Sequence, residues 1–169
     1  SANQVNAVPN INIHELEMEG LDIPWPECYI EGVVENEIRN RIVVDTTCSA
    51  YKEGKTCLVL TKRQIHGEIL RELFLSRGID LPYLDSRSNK KERTEKLREL
   101  RAGKIQGMII SKIGEEGLDI PQLDFVFRAS AGLSPISTIQ ALGRGLRGKS
   151  GKNNVVDYHD FYDKFGGSL

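Results

Sequence analysis

Three stretches of this 169-residue chain carry residue types at spacings that could do chemistry. The first is Gly54-Lys55-Thr56, which has the ending of a phosphate-cradling loop. Such a loop reads G-x-x-x-x-G-K-[ST], follows a strand and opens a helix whose N-terminus meets the phosphates. Here the place of the first glycine is held by Ser49, and the apolar run Cys57-Leu58-Val59-Leu60 follows the GKT. A turn entering a strand is therefore expected. The second stretch is SKIGEEGLDIP, residues 111–121. Gly114 and Gly117 let backbone approach a ligand closely. Glu115, Glu116 and Asp119 could accept hydrogen bonds from a ribose or a partner arginine, or could simply face water. The third is QALGRGLRGKSGK, residues 140–152. On a helix advancing roughly 100° per residue, Gln140, Arg144 and Arg147 share one narrow face and Ile139, Leu142 and Leu146 another. Gly143 and Gly145 each cost about 1 kcal/mol in a helix interior, a cost that fits close approach of a ligand or a neighbouring domain. Two guanidiniums held on a rigid scaffold suit a polyphosphate, because each offers fixed bidentate donors. The plain alternative is a pair of surface arginines on an amphipathic helix.

Other chemistries find less support. His66 and His159 have no companions at metal-ligand spacing, so both read as structural or surface residues and no metal site is expected. Val155-Val156-Asp157 superficially resembles an apolar strand ending in a metal-binding acid, but reads as an ordinary strand end. Cys28, Cys48 and Cys57 form no C-x-x-C and fit reduced thiols of a cytosolic protein. No apolar run approaches the ~20 residues that span a membrane. Charged residues at 28% and hydrophobic residues at 39% describe a globular chain. Its net charge of −1 conceals an asymmetry: residues 1–38 hold eight acids and no Lys or Arg, whereas Arg87 to Lys104 holds eight basic residues against three Glu. Clustered base of this kind marks either a solvated helix face or a phosphate-backbone footprint.

The elements that must position these residues follow from periodicity. Residues 1–27 read as irregular, with Pro24-Trp25-Pro26 blocking regular structure and Trp25 packed at a domain edge. A helix is expected from Glu35, with Ile38, Ile42, Val43 and Cys48 on one face. Residues 56–61 read as a buried strand and 64–77 as an amphipathic helix with Ile65, Ile69, Leu70 and Leu73 inward. A second strand is expected over 79–84, then a helix capped by Ser88 and running to Ala102, then strands over 106–111 and 123–128. Ser134-Pro135 opens a helix through Leu146, residues 154–158 form a fifth strand, and the tail from Phe165 frays. Short strands alternating with helices of about a dozen residues imply parallel crossover units, hence an α/β sheet covered on both faces. Ligands on such sheets sit at the carboxyl ends of the strands, so the loops beginning at Thr61, Asp85, Ser111 and Ser130 should share one rim.

These blocks, in this order and on this alternation, resemble the C-terminal, second RecA-like domain of superfamily-two DEAD/DEAH-like helicases and translocases, the phage, repair and restriction-type members above all. GEEGLDIP looks like motif V, usually a Thr followed shortly by G-x-D-x-P, and QALGRGLR is similar to motif VI in its Q-x-x-G-R-x-x-R form. TCLVLTKRQIHGEILRELF resembles motif IV with its following helix. LDSRSNKKERTEKL falls where the family has a short loop and a helix bearing an arginine, here Arg93. GVVENEIRNRIVV looks like the entry helix, so the resemblance spans roughly residues 31–160.

The resemblance implies a RecA-like domain over 31–169, preceded in 1–30 by a linker or the tail of another domain. It implies that Arg144 and Arg147 are arginine fingers reaching the γ-phosphate of ATP, and that Gln140 couples two domains at that cleft. Gly117 and Asp119, with Glu116, would touch the nucleotide, Asp119 at the ribose. Thr61, Lys62, Arg63, Ser86, Arg87, Ser111 and Lys112 would contact a nucleic-acid backbone, DNA favoured over RNA. Ser111 stands where the family more often has Thr, which keeps a hydroxyl. Gln140 instead of His argues against the DEAH-type splicing branch. ATP with Mg2+ would be bound mainly by an N-terminal RecA-like domain of the same cytoplasmic protein, since nothing in this sequence supplies a lysine-bearing phosphate loop or an acidic magnesium site. The expected function is the C-terminal half of an ATP-dependent helicase or translocase, inactive in isolation. The competing reading is a non-catalytic nucleic-acid-binding or regulatory module that kept the fold.

Overall fold

Apolar runs of four or five residues can be buried on both faces only inside a sheet covered by helices on both sides. Three such runs meet this condition in the computed structural model, which describes residues 8–18, 33–111, 123–130 and 155–165. They are β2 (Cys57–Thr61), β4 (Gly107–Ser111) and β5 (Phe125–Arg128), and every residue of each is buried. Flanking them are β1 (Val8–Met18), β3 (Tyr83–Leu84) and β6 (Val155–Phe165). The sheet order is β1-β6-β5-β2-β4-β3, with every pairing parallel. The helices among the described residues are α1 (Glu37–Lys52), α2 (Gln64–Ser76) and α3 (Lys90–Arg101).

Alternate residues of each strand enter opposite cores. Val59, Ile109, Phe125 and Phe127 pack with Val43 and Val44 of α1 and Leu70 and Phe74 of α2. Leu58, Leu60, Met108, Ile110, Val126 and Tyr158 pack with Leu97 and Leu100 of α3. The expected parallel α/β sheet with helices on both faces is thus observed.

Several expectations are corrected. Residues 8–18, read as irregular, form β1, in register from Val8 against Val155 to Met18 against Phe165. The strand expected over 79–84 shrinks to Tyr83–Leu84, although Ile79 and Leu81 are still buried. β6 runs on to Phe165 instead of stopping at Tyr158. The cap of α3 is Asn89, whose side chain accepts from Glu92 N at 2.8 Å, while the Ser88 hydroxyl turns back to accept from Asp85 N. The expected helix through 134–146 lies outside the described residues, as do Trp25, Cys28 and the tail from 166.

The expected inward faces hold at Val43 and Cys48 of α1 and Leu70 of α2, with Ile42 and Ile69 packed beside them, but fail at three positions. Ile38 is 63% exposed and Ile65 52%, and Leu73 is exposed as well. In their place α1 buries Arg39 and Asn40, and α2 buries His66 and Gly67. Arg39 lies fully buried, its Nε donating to the Ala129 carbonyl at 2.9 Å and its guanidinium 4.1 Å from the centre of the Phe161 ring. Asn40 donates to the Val34 carbonyl and accepts from His66 Nε2 at 2.8 Å. A buried polar group is tolerated when hydrogen-bonded, and these partners come from elsewhere in the chain. On β5 and β6, Arg128 Nε donates to Asp160 at 2.8 Å in a buried ion pair that the Tyr158 hydroxyl joins.

Candidate nucleic-acid interface

The Gly54-Lys55-Thr56 turn does not have the geometry of a phosphate loop. α1 ends in a Schellman arrangement: Gly54 takes φ +83°, its N–H donates to Tyr51 O, and Lys55 N donates to Ala50 O. The chain then enters β2, so a helix C-terminus, with its partial negative charge, faces the turn. Lys55 is committed to Asp157 at 2.9 Å and Glu53 at 3.3 Å. Among the described residues, no group of three or more His, Cys, Asp or Glu could hold a metal ion.

The carboxyl ends of the strands hold what the sequence placed there. Thr61 ends β2 and Ser111 ends β4, and the two are register partners. Both are buried, and among the described residues the Thr61 hydroxyl has no hydrogen-bond partner. Burial pushes the Tyr83 phenol up to about 12. Lys62 and Arg63 follow Thr61 directly and are exposed at the start of α2.

The loop after β3 is laced to α2. Ser86 accepts from Gln64 Nε2 at 2.9 Å, and the Tyr83 hydroxyl donates to the Gln64 carbonyl at 3.0 Å. Arg87 donates through Nε and Nη2 to Asp85 Oδ2, and through Nη2 to Glu68 Oε1 at 2.8 Å. Asp85 is 3% exposed and also accepts from Arg87 N, forming an Asx turn. Its carbonyl takes bonds from Ser88 N and from Arg93 Nη2. The Arg87 guanidinium holds the Asp85 carboxyl below the usual carboxylate range despite burial. Thr61–Arg63, Ser86–Arg87 and Ser111 therefore lie along one edge of the sheet, with the loop after β3 tied to α2 through Gln64 and Tyr83.

Lys112, Glu116, Gly117, Asp119, Gln140, Arg144 and Arg147 lie outside the described residues. Sequence reading missed Glu68, Gln64 and Tyr83, whose roles depend on contacts across the fold. Asp85 carried one legible signal, an Asp two residues before the residue whose N–H it accepts.

With this geometry on view, residues 38–149 match the family described as "Helicase conserved C-terminal domain". The chain belongs to that family. This helicase C-terminal domain is 34% identical over 113 residues to the candidate helicase 22 of a Sulfolobus islandicus filamentous virus, covering 64% of this chain and 20% of the viral protein. It is 43% identical over 75 residues to fml2, a candidate ATP-dependent DNA helicase of Schizosaccharomyces pombe, covering 44% of this chain and 10% of the yeast protein. The chain thus spans a fifth or less of the length of these curated relatives. Among solved structures, T4 UvsW superposes with a TM-score of 0.72 at 20% identity, over 92% of this chain and 32% of that one. The fold of this helicase C-terminal domain is accordingly RecA-like. Among the described residues, no helix is long and apolar enough to cross a membrane.

Proposed function

We propose that this domain is the second half of an ATP-dependent motor that moves along nucleic acid, DNA in preference to RNA, in the cytoplasm. The observation that carries the reading is the shared rim. Two buried hydroxyls, Thr61 and Ser111, flank each other at adjacent strand ends, and exposed Lys62, Arg63 and Arg87 stand beside them. Hydroxyls and cations in this arrangement suit a phosphate backbone, which is contacted without regard to base. Likeness to a candidate DNA helicase favours DNA.

In this reading ATP with Mg2+ is held mainly by an N-terminal RecA-like domain of the longer protein, and Gly117, Asp119 and Glu116 complete the nucleotide site. Arg144 and Arg147 reach the phosphates, and Gln140 couples the domains. Phosphoryl transfer is largely positioning and charge stabilisation, and an arginine finger contributes about 10³–10⁵ in rate. Lys112 extends the contacts of Ser111. Closure and opening of the two halves then shifts the rim along a strand.

The test is steady-state ATPase with and without single-stranded DNA or RNA. The full-length protein should show nucleic-acid-stimulated hydrolysis, greater with DNA, that falls by about 10³ or more in Arg144→Ala. The 169-residue chain alone should hydrolyse nothing. Robust ATPase from that chain would overturn the proposal.

A further inference from the structure

We propose that Glu68 sets the affinity of the rim by competing with nucleic-acid phosphate for Arg87; this rests on the reading of Arg87 as a backbone contact. A guanidinium has five N–H donors in a fixed fork. In Arg87 the Nε hydrogen goes to Asp85, and Nη2 is shared between Asp85 Oδ2 and Glu68 Oε1. Only Nη1 is left without a partner among the described residues. A phosphate could take Nη1 alone, with one bond. To be held bidentately by Nη1 and Nη2 it must recover the Nη2 hydrogen from one of the two carboxylates.

The two carboxylates are not equally able to leave. Asp85 is 3% exposed, and its carboxylate and backbone are bound by Arg87, Ser88 and Arg93. Releasing it would leave a buried charge and dismantle the turn. Glu68 projects from α2 with its side chain 52% exposed, and water can solvate it at once on release. Glu68 therefore acts as the resident anion that phosphate displaces, while Asp85 keeps Arg87 aimed along the rim. Glu68 is a positioning residue that acts through Arg87, lowering affinity so that the rim can let go of a strand between steps.

The experiment is fluorescence anisotropy of a labelled single-stranded DNA oligonucleotide on the full-length protein, over a salt series, with wild type, Glu68→Gln, Arg87→Gln and the double variant. Thermal melting of each checks the fold. Glu68→Gln should bind about two- to fivefold more tightly at low salt, the range expected for loss of one exposed ion pair. Its log affinity should fall more steeply with log salt, by up to about 0.7 for one extra phosphate contact on a single strand. Arg87→Gln should weaken binding, and adding Glu68→Gln to it should change nothing further. If Arg87→Gln binds like wild type, the reading of Arg87 as a contact fails. If it weakens binding but Glu68→Gln does not tighten it, the competition alone fails. Equal tightening by Glu68→Gln with and without Arg87 would show a general charge effect and would also overturn the competition.

Discussion

Lys55 Nζ lies 2.9 Å from Asp157 Oδ2, tying the turn after α1 to β6 across the bottom of the sheet. Asn10 of β1 donates to the other oxygen of the same carboxylate at 3.1 Å. The lysine of a GKT sequence is thus the anchor of a structural ion pair. Lys55→Ala should leave ATP affinity and ATPase of the full-length protein unchanged. It should lower the stability of the domain by no more than about 1 kcal/mol, because the pair is partly solvated. Nucleotide titration beside chemical denaturation checks both, and loss of ATP binding with stability intact would refute the structural role.

Gly67 sits in the interior of α2, where alanine would ordinarily gain about 1 kcal/mol of helix propensity. An added Cβ, however, would stand 2.0 Å from Tyr83 Cε2 and 2.6 Å from the Tyr83 hydroxyl oxygen. The ring has to move, and with it the bond from that hydroxyl to Gln64. Gly67→Ala should destabilise the domain by about 1–3 kcal/mol, the usual cost of overpacking. Tyr83→Ala should remove most of the difference between Gly and Ala at this position. Urea denaturation of the four combinations measures the coupling, and a Gly67→Ala protein more stable than wild type would contradict the contact.

Acid should weaken the fold through its buried histidines. Asn40 gives its amide N–H to Val34, so its oxygen must accept from His66 Nε2, which assigns the proton of the neutral ring. His66 Nδ1 is buried without a partner among the described residues. Burial, with Arg39 adding repulsion, lowers His66 from 6.5 to about 3. Burial and His14 lower His159 to about 4. The unfolded chain therefore binds more protons than the folded one below about pH 6.5. Stability should be full above that pH and fall as pH drops toward 4, with a slope of up to about 1.4 kcal/mol per pH unit for each differential proton. His66→Gln, which can still donate to Asn40, should flatten the slope by one proton's share. Denaturation midpoints measured across this window provide the check.

The legible part of the fold was the part encoded locally. Cys57–Thr61 and Gly107–Ser111 announce themselves as buried strands because both faces are apolar or small. β1 did not: VPNINIHELEM carries a proline, two asparagines and acids, its Ile11 and Ile13 are left exposed, and its partner strand is remote, Asn10 and Asp157 being 147 residues apart. Single positions on α1 and α2 depart from periodicity for a related reason, while Val43, Cys48 and Leu70 are buried as expected. Ile38 and Ile65 were assigned inward by hydrophobicity, but Arg39 and His66 found buried partners in Ala129, Phe161 and Asn40 and took those places.

By itself the sequence determined the order of elements from α1 to β5 among the described residues, the family to which the chain belongs and the strand ends on which Thr61 and Ser111 sit. These follow from apolar runs, turn residues and motif spacing, all of which act over a few neighbouring positions. Only the tertiary structure decided that Lys55 pairs with Asp157, that Gly67 makes room for Tyr83, and that Arg87 is held by Asp85 and Glu68. A charged or small side chain takes its role from whatever the fold brings within about 3 Å of it. That proximity is set by the packing of helices on a parallel sheet.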